Sequence, residues 1–112
     1  MTSTKPIFWA LFAAGGTLAA FAAPVLILIT GPALPLGLLN SESLNFDRLT
    51  NAMATMPVAI AMAVFIVLTL WHAAHRLRVT AHDLGWFQDR VAAALFYGLA
   101  AVGSLVAVLL LV

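Results

Sequence analysis

A chain of 112 residues with 64% apolar and only 8% charged side chains has too little polar surface to cover itself in water, where soluble domains carry about 45–50% apolar and about 25% charged residues. The length suits one structural unit, and the class is all-α membrane protein. A formal net charge of +1 argues against nucleic-acid binding, which needs a basic patch to neutralise phosphates, while the absence of cysteine excludes disulfides, cysteine-ligated iron–sulfur clusters and c-type haem attachment.

The first predicted element follows Lys5 and Pro6. Thirty-six uncharged residues separate Lys5 from Glu42, too many for one straight crossing and too few for two with a turn, since a span takes about 20 apolar residues. The sequence predicts a helix over 7–31, kinked at Pro24 and ended by Gly31, Pro32, Pro35 and Gly37, with LPLGL (34–38) in the interface. No small-residue cleavage site fits the apolar run, so it is read as a retained span and not a signal peptide. The second helix is predicted over 53–77, with Pro57 in its first turn, and the third over 90–112. Twenty-seven uncharged residues lie between Arg48 and Arg76, and twenty-two run from Val91 to Val112. Each run is long enough for one crossing, and isolated strands are excluded because backbone groups in lipid must bond within their own segment. The expected organisation is a single transmembrane anchor domain, 1–112, with three helices.

Small residues crowd the faces of these helices: Ala10, Ala13, Ala14, Gly15, Gly16 and Thr17 in the first, Ala92, Ala93 and Gly98 in the third. In a bilayer such faces permit close helix contacts. With no sizeable soluble region, the chain reads as one part of a larger helical assembly.

All three histidines fall in LWHAAHRLRVTAHDL (70–84), His72 and His75 at the end of the second helix and His82 beyond it, above His75 if the helix continues. His72 and His75 are three apart and share a face; His82 lies seven residues beyond His75. One reading is an interfacial belt in which Trp71, Arg76, Arg78 and the histidines anchor the helix end among headgroups. A second is haem b ligation, which needs another histidine from a partner. A third is a quinone pocket. Quinone chemistry moves two electrons and two protons, and imidazole, with an unperturbed pKa of roughly 6.5, donates and accepts protons near neutrality. Trp9 and Phe12 stand three apart on the first helix at the same membrane level, where an indole N–H could bond a carbonyl oxygen and flat rings could pack a quinone head. No metal site and no self-contained catalytic set is expected.

The segments FWALFAAGG (8–16), APVLILITG (23–31), LPLGL (34–38), LWHAAHR (70–76), HDL (82–84) and FYGLAA (96–101), in this order, resemble the D subunit of quinol:fumarate reductase along nearly the whole chain. The resemblance implies a hydrophobic anchor that, with a second three-helix anchor subunit of C type, holds a flavoprotein subunit and an iron–sulfur subunit on the cytoplasmic face. It implies no haem, flavin or iron–sulfur cluster in this chain. It also implies a shared menaquinone/menaquinol site matched here by Trp9, Phe12, His75 and Arg76. Better-known members carry further histidines where this chain has Arg78 and Val79, which leaves His82, with His72 accessory, as the expected proton path. Two alternatives stay open on the sequence: a purely structural anchor, and a haem b-containing succinate dehydrogenase anchor.

Basic residues divide four to one between the two faces: Lys5, Arg76, Arg78 and Arg90 against Arg48. The positive-inside rule therefore predicts a cytoplasmic amino terminus and a carboxyl terminus on the outer face, and the resemblance implies a multi-pass protein of the bacterial inner membrane, which makes that outer face periplasmic. A topology reporter fused after Val112 should score as periplasmic. Strong cytoplasmic activity at that fusion would reverse the assignment.

Overall fold

The computed structural model describes residues 4–86 and 88–112. Helix α1 spans Lys5–Leu28 and opens with Pro6, whose missing N–H is harmless in a first turn. The helix continues through Pro24 and passes without a break into a π-helical turn, Ile29–Ala33. There the Leu34 N–H donates to the Ile29 carbonyl at 3.0 Å, five residues back, and the Thr30 hydroxyl donates to the Leu26 carbonyl at 2.7 Å. The wider ladder suits a turn in which Pro32 has no N–H to offer. Helical structure thus runs two residues beyond the expected end at 31, and the chain then reverses through Gly37, whose φ of 72° favours glycine.

Between the first and second spans lie elements that the sequence pattern does not predict. The Asn40 side chain accepts from the Glu42 N–H and starts a 3₁₀ turn, Ser41–Leu44. The Asn45 side chain then accepts from the Arg48 N–H at 2.8 Å and caps a short helix α2, Phe46–Met53. The second span, α3, therefore starts at Met56 and not at 53, with Pro57 in its first turn as expected. It runs to Asp83, six residues past the expected end at 77. Bilayer thickness set the expected boundary; the actual stop is a glycine cap. Gly85, at φ 99°, allows the Gly85 N–H to reach the His82 carbonyl and the Trp86 N–H to reach the Ala81 carbonyl, the paired bonds of a Schellman motif. At 28 residues, α3 is about 42 Å long, against about 30 Å of hydrocarbon. Its last turns carry Arg76, Arg78, His82 and Asp83 outside the apolar run. Helix α4, Asp89–Leu111, begins with an acidic residue at its positive end.

Three helical segments, Lys5–Ala33, Met56–Asp83 and Asp89–Leu111, are long and apolar enough to cross a membrane. Helix α3 is the middle element and packs against both α1 and α4, whereas α1 and α4 scarcely meet. Among the described residues, the buried positions are all small: Gly15 on α1, Ala59, Ala63 and Ala74 on α3, Ala92 and Ala100 on α4. Large apolar side chains such as Phe21, Leu99 and Leu110 face outward, as they do where the surrounding solvent is lipid or further helices.

The α1–α3 seam brings backbone close against backbone. A methyl group added at Gly15 would lie 2.2 Å from the Leu68 carbonyl oxygen, so the two backbones approach as only glycine permits. One residue on, a methyl at Gly16 would meet the His72 ring at 2.5 Å. That ring stacks on Phe12 with centroids 4.3 Å apart, and its Nδ1 bonds the Phe12 carbonyl at 3.0 Å. Because a carbonyl only accepts, Nδ1 carries the proton. The structure thus gives His72 a place in the interhelix seam.

Gly15→Ala should therefore destabilise the α1–α3 contact by about 1–3 kcal/mol through overpacking against immovable backbone, and His72→Leu by about 1 kcal/mol through the lost hydrogen bond. Gly31→Ala, with open space around it, should stay within about 0.5 kcal/mol of the parent. Thermal unfolding in detergent distinguishes these cases. A Gly15→Ala protein as stable as its parent would show that the helices do not meet there.

Candidate functional site

Because α1 and α4 flank α3 without closing on each other, a cleft remains at the charged end of the bundle. It holds a cavity of about 780 Å³ lined by Phe8, Trp9, Leu11 and Phe12 from α1, Val67, Leu68, Trp71 and His75 from α3, and Tyr97 from α4. This volume falls within the roughly 300–1,000 Å³ of small-molecule sites. Antiparallel geometry accounts for the assembly: Trp9 and Phe12 lie near the start of α1, His75 near the end of α3, and Tyr97 two turns into α4. All three helix ends meet at one level.

The aromatic rings form a connected wall. Trp9 meets Phe12 edge-on at 5.6 Å, and Phe12 meets His75 edge-on at 4.8 Å. Across the cleft, Trp71 stacks on Tyr97 at 5.8 Å with 24° between planes, and the His75 ring lies within 22° of the Tyr97 plane. His75 Nδ1 and the Tyr97 hydroxyl are hydrogen-bonded at 2.8 Å. With Nδ1 so engaged, Nε2 is the ring nitrogen left for a ligand. Such a site accepts a flat, largely apolar molecule and offers it one imidazole for proton exchange.

Arg78 closes the arrangement from outside. Its guanidinium grips the Asp89 carboxylate with two hydrogen bonds, one of 2.7 Å from Nε, and donates from Nη1 to the Tyr97 oxygen at 3.4 Å. The pairing ties the overhanging end of α3 to the first turn of α4 across the turn at Gly85. Planar bidentate pairing is what a guanidinium does and an ammonium does not.

The residues expected from the sequence are thus partly brought together. Trp9, Phe12 and His75 share the cavity. His72 lies on the neighbouring face of Phe12, in the seam, and is not among the lining residues. Arg76 is exposed and also outside the lining. His82 sits exposed in the last turn of α3. The sequence pattern assigns Tyr97 no role and reads Trp71 and Arg78 as headgroup anchors. A signal for Tyr97 was present: it is the sole tyrosine, in a run with no charge, and a phenol hydroxyl at that depth needs a partner. Among the described residues, no group of three or more histidines and carboxylates is placed to hold a metal ion.

Comparison with known proteins agrees along the full length. A family model describing the D subunit of fumarate reductase matches residues 1–112. The chain is similar to the fumarate reductase D subunit of Mycobacterium bovis (strain BCG / Pasteur 1173P2), with 45% identity over 106 residues, covering 91% of this chain and 82% of that protein. It is 35% identical over 106 residues to the fumarate reductase D subunit of Vibrio vulnificus (strain YJ016), covering 95% and 85%. With the protein of that description from Photobacterium profundum, it shares 34% identity over 107 residues, covering 96% and 89%. Three spans, a cleft at their charged end and a match that runs the whole length lead to one assignment: this chain belongs to the family of fumarate reductase D subunits, the membrane anchor subunits of bacterial fumarate reductase complexes.

Proposed function

We propose that the chain anchors a flavoprotein subunit and an iron–sulfur subunit to the cytoplasmic face of the inner membrane, together with a second three-helix anchor, and that it supplies part of a menaquinol oxidation site. The observation that carries this reading is the cavity itself. Trp9 and Phe12 from one helix and His75 from another converge on an aromatic-walled space, at the end of the bundle where the charges gather. A quinol head is flat and apolar, with a hydroxyl at each end. Trp9 and Phe12 hold its ring, and His75 Nε2 takes a hydroxyl proton as the electrons pass to the iron–sulfur partner.

The overhanging end of α3, with Arg76, Arg78, His82 and Asp83, and Arg90 at the start of α4 provide the polar surface on which the soluble partners rest. Arg76 joins the site only where such a partner closes over the exposed end. His82 stands on the side from which a released proton reaches water, whereas His72, held by the Phe12 carbonyl, acts mainly through packing.

His75→Leu and Trp9→Leu should impair quinol oxidation by about five- to a hundred-fold, the range for losing a hydrogen bond worth roughly 1–3 kcal/mol. Fumarate reduction driven by an artificial dye should persist, since the dye feeds the soluble subunits without the cavity. His72→Leu should lower quinol oxidation less than either. Parallel loss of both activities from the membrane fraction would favour the purely structural anchor, and unchanged quinol oxidation would place the site elsewhere.

A further inference from the structure

The hydroxyl of Tyr97 is held from two sides, by His75 and by Arg78. We propose that Tyr97 is a positioning residue for His75: its hydroxyl fixes the imidazole and selects whether Nε2 faces the ligand as proton acceptor or as donor. This rests on the reading of the cavity as a quinol site.

The geometry leaves the oxygen little freedom. The Tyr97 ring lies in near-parallel orientation with both Trp71 and His75. Arg78 donates to its oxygen and places its guanidinium 5.6 Å from the ring centre, while Asp89 pins Arg78 in turn. A chain of contacts, Asp89 to Arg78 to Tyr97 to His75, therefore ends on Nδ1. From α1 the His75 ring meets Phe12, which does not titrate.

The chemistry follows from counting protons and lone pairs. A phenol oxygen has two lone pairs and one proton, and a guanidinium only donates. Arg78 thus occupies one lone pair and leaves the other, or the proton, for His75. With the phenol O–H donating to Nδ1, the histidine carries its own proton on Nε2 and donates to a quinone carbonyl. With the phenol proton turned away, Nδ1–H donates to the free lone pair, and Nε2 presents its own lone pair to a quinol hydroxyl. In oxidation the quinol breaks two O–H bonds: one proton forms the Nε2–H bond, the other goes to water, and two electrons pass to the iron–sulfur partner. The imidazolium keeps its Nδ1–H on Tyr97 throughout. The two arrangements differ by the phenol torsion and by the ring tautomer, which interchanges through the imidazolium, and together they match His75 to either form of the ligand.

The test is Tyr97→Phe in the intact complex, with a short-chain naphthoquinol as donor. The ring and both stacks remain; only the hydroxyl goes. The kcat for quinol oxidation should fall about tenfold, with KM changed by less than about twofold, because orientation of the base matters only as the proton moves. The solvent deuterium effect on kcat should grow as proton transfer becomes slower than the other steps. Dye-driven fumarate reduction that stays with the washed membranes reports that the complex is whole. If Tyr97→Phe does not assemble, Asp89→Asn, which loosens Arg78 without touching the ring, is scored by the same readouts and should move them in the same direction by less. Unchanged kcat and isotope effect, beside a His75→Leu protein that has lost quinol oxidation, would overturn the role of Tyr97 and leave the quinol site standing. A raised KM at constant kcat would make Tyr97 part of the binding wall and also overturn it. Full quinol oxidation in His75→Leu would overturn both readings together.

Discussion

Helices in a bilayer gain nothing hydrophobic by touching, since lipid tails are as apolar as leucine. The contact of α1 with α3 at Gly15 has to come from dispersion and dipoles at very short range, which requires backbone against backbone. That one approach places Phe12, almost a turn before Gly15, within ring contact of both His72 and His75. It also sets Trp9 over the same cleft. The hydrogen bond from His72 to the Phe12 carbonyl then locks the two helices against sliding.

The second seam, between α3 and α4, is organised by charge as much as by size. Alanines at 59, 63, 74, 92 and 100 let the helices close, and the Arg78–Asp89 pair fixes their relative height where they emerge. Side chains a third and a half exposed form this pair, at 32% and 49%. Water screens much of its strength, so its use is geometric. Because α3 spends one face on each neighbour, the space between α1 and α4 stays open. The cavity is a product of topology and not of a special insertion.

The three spans were legible in the sequence because charge-free runs of the right length admit no other structure in lipid. Helix α2 was not: eight residues in a polar stretch give no length signal, and Asn45 is a cap only once the helix after it is known. The end of α3 was misplaced because the membrane sets where a helix must be apolar and not where it must stop; Gly85 held that information. Within the site, Trp9, Phe12 and His75 could be brought together from membrane depth alone. Tyr97 could not, since depth says nothing about which faces of α3 and α4 meet. Arg78 was read as a headgroup anchor because its partner, Asp89, stands across a turn, eleven residues away.

The seam and the site are cut on one side of one rod. Leu68, His72 and His75 fall within two turns of α3 and all address α1. An added residue between Leu68 and His75 would raise the imidazole by only about 1.5 Å but swing it about 100° around the axis. The molecule is therefore indexed by angle and not by height. Lengthening at either end of α3 leaves the phase of these three residues intact, while a single insertion between them would turn the imidazole toward lipid with every helix still in place.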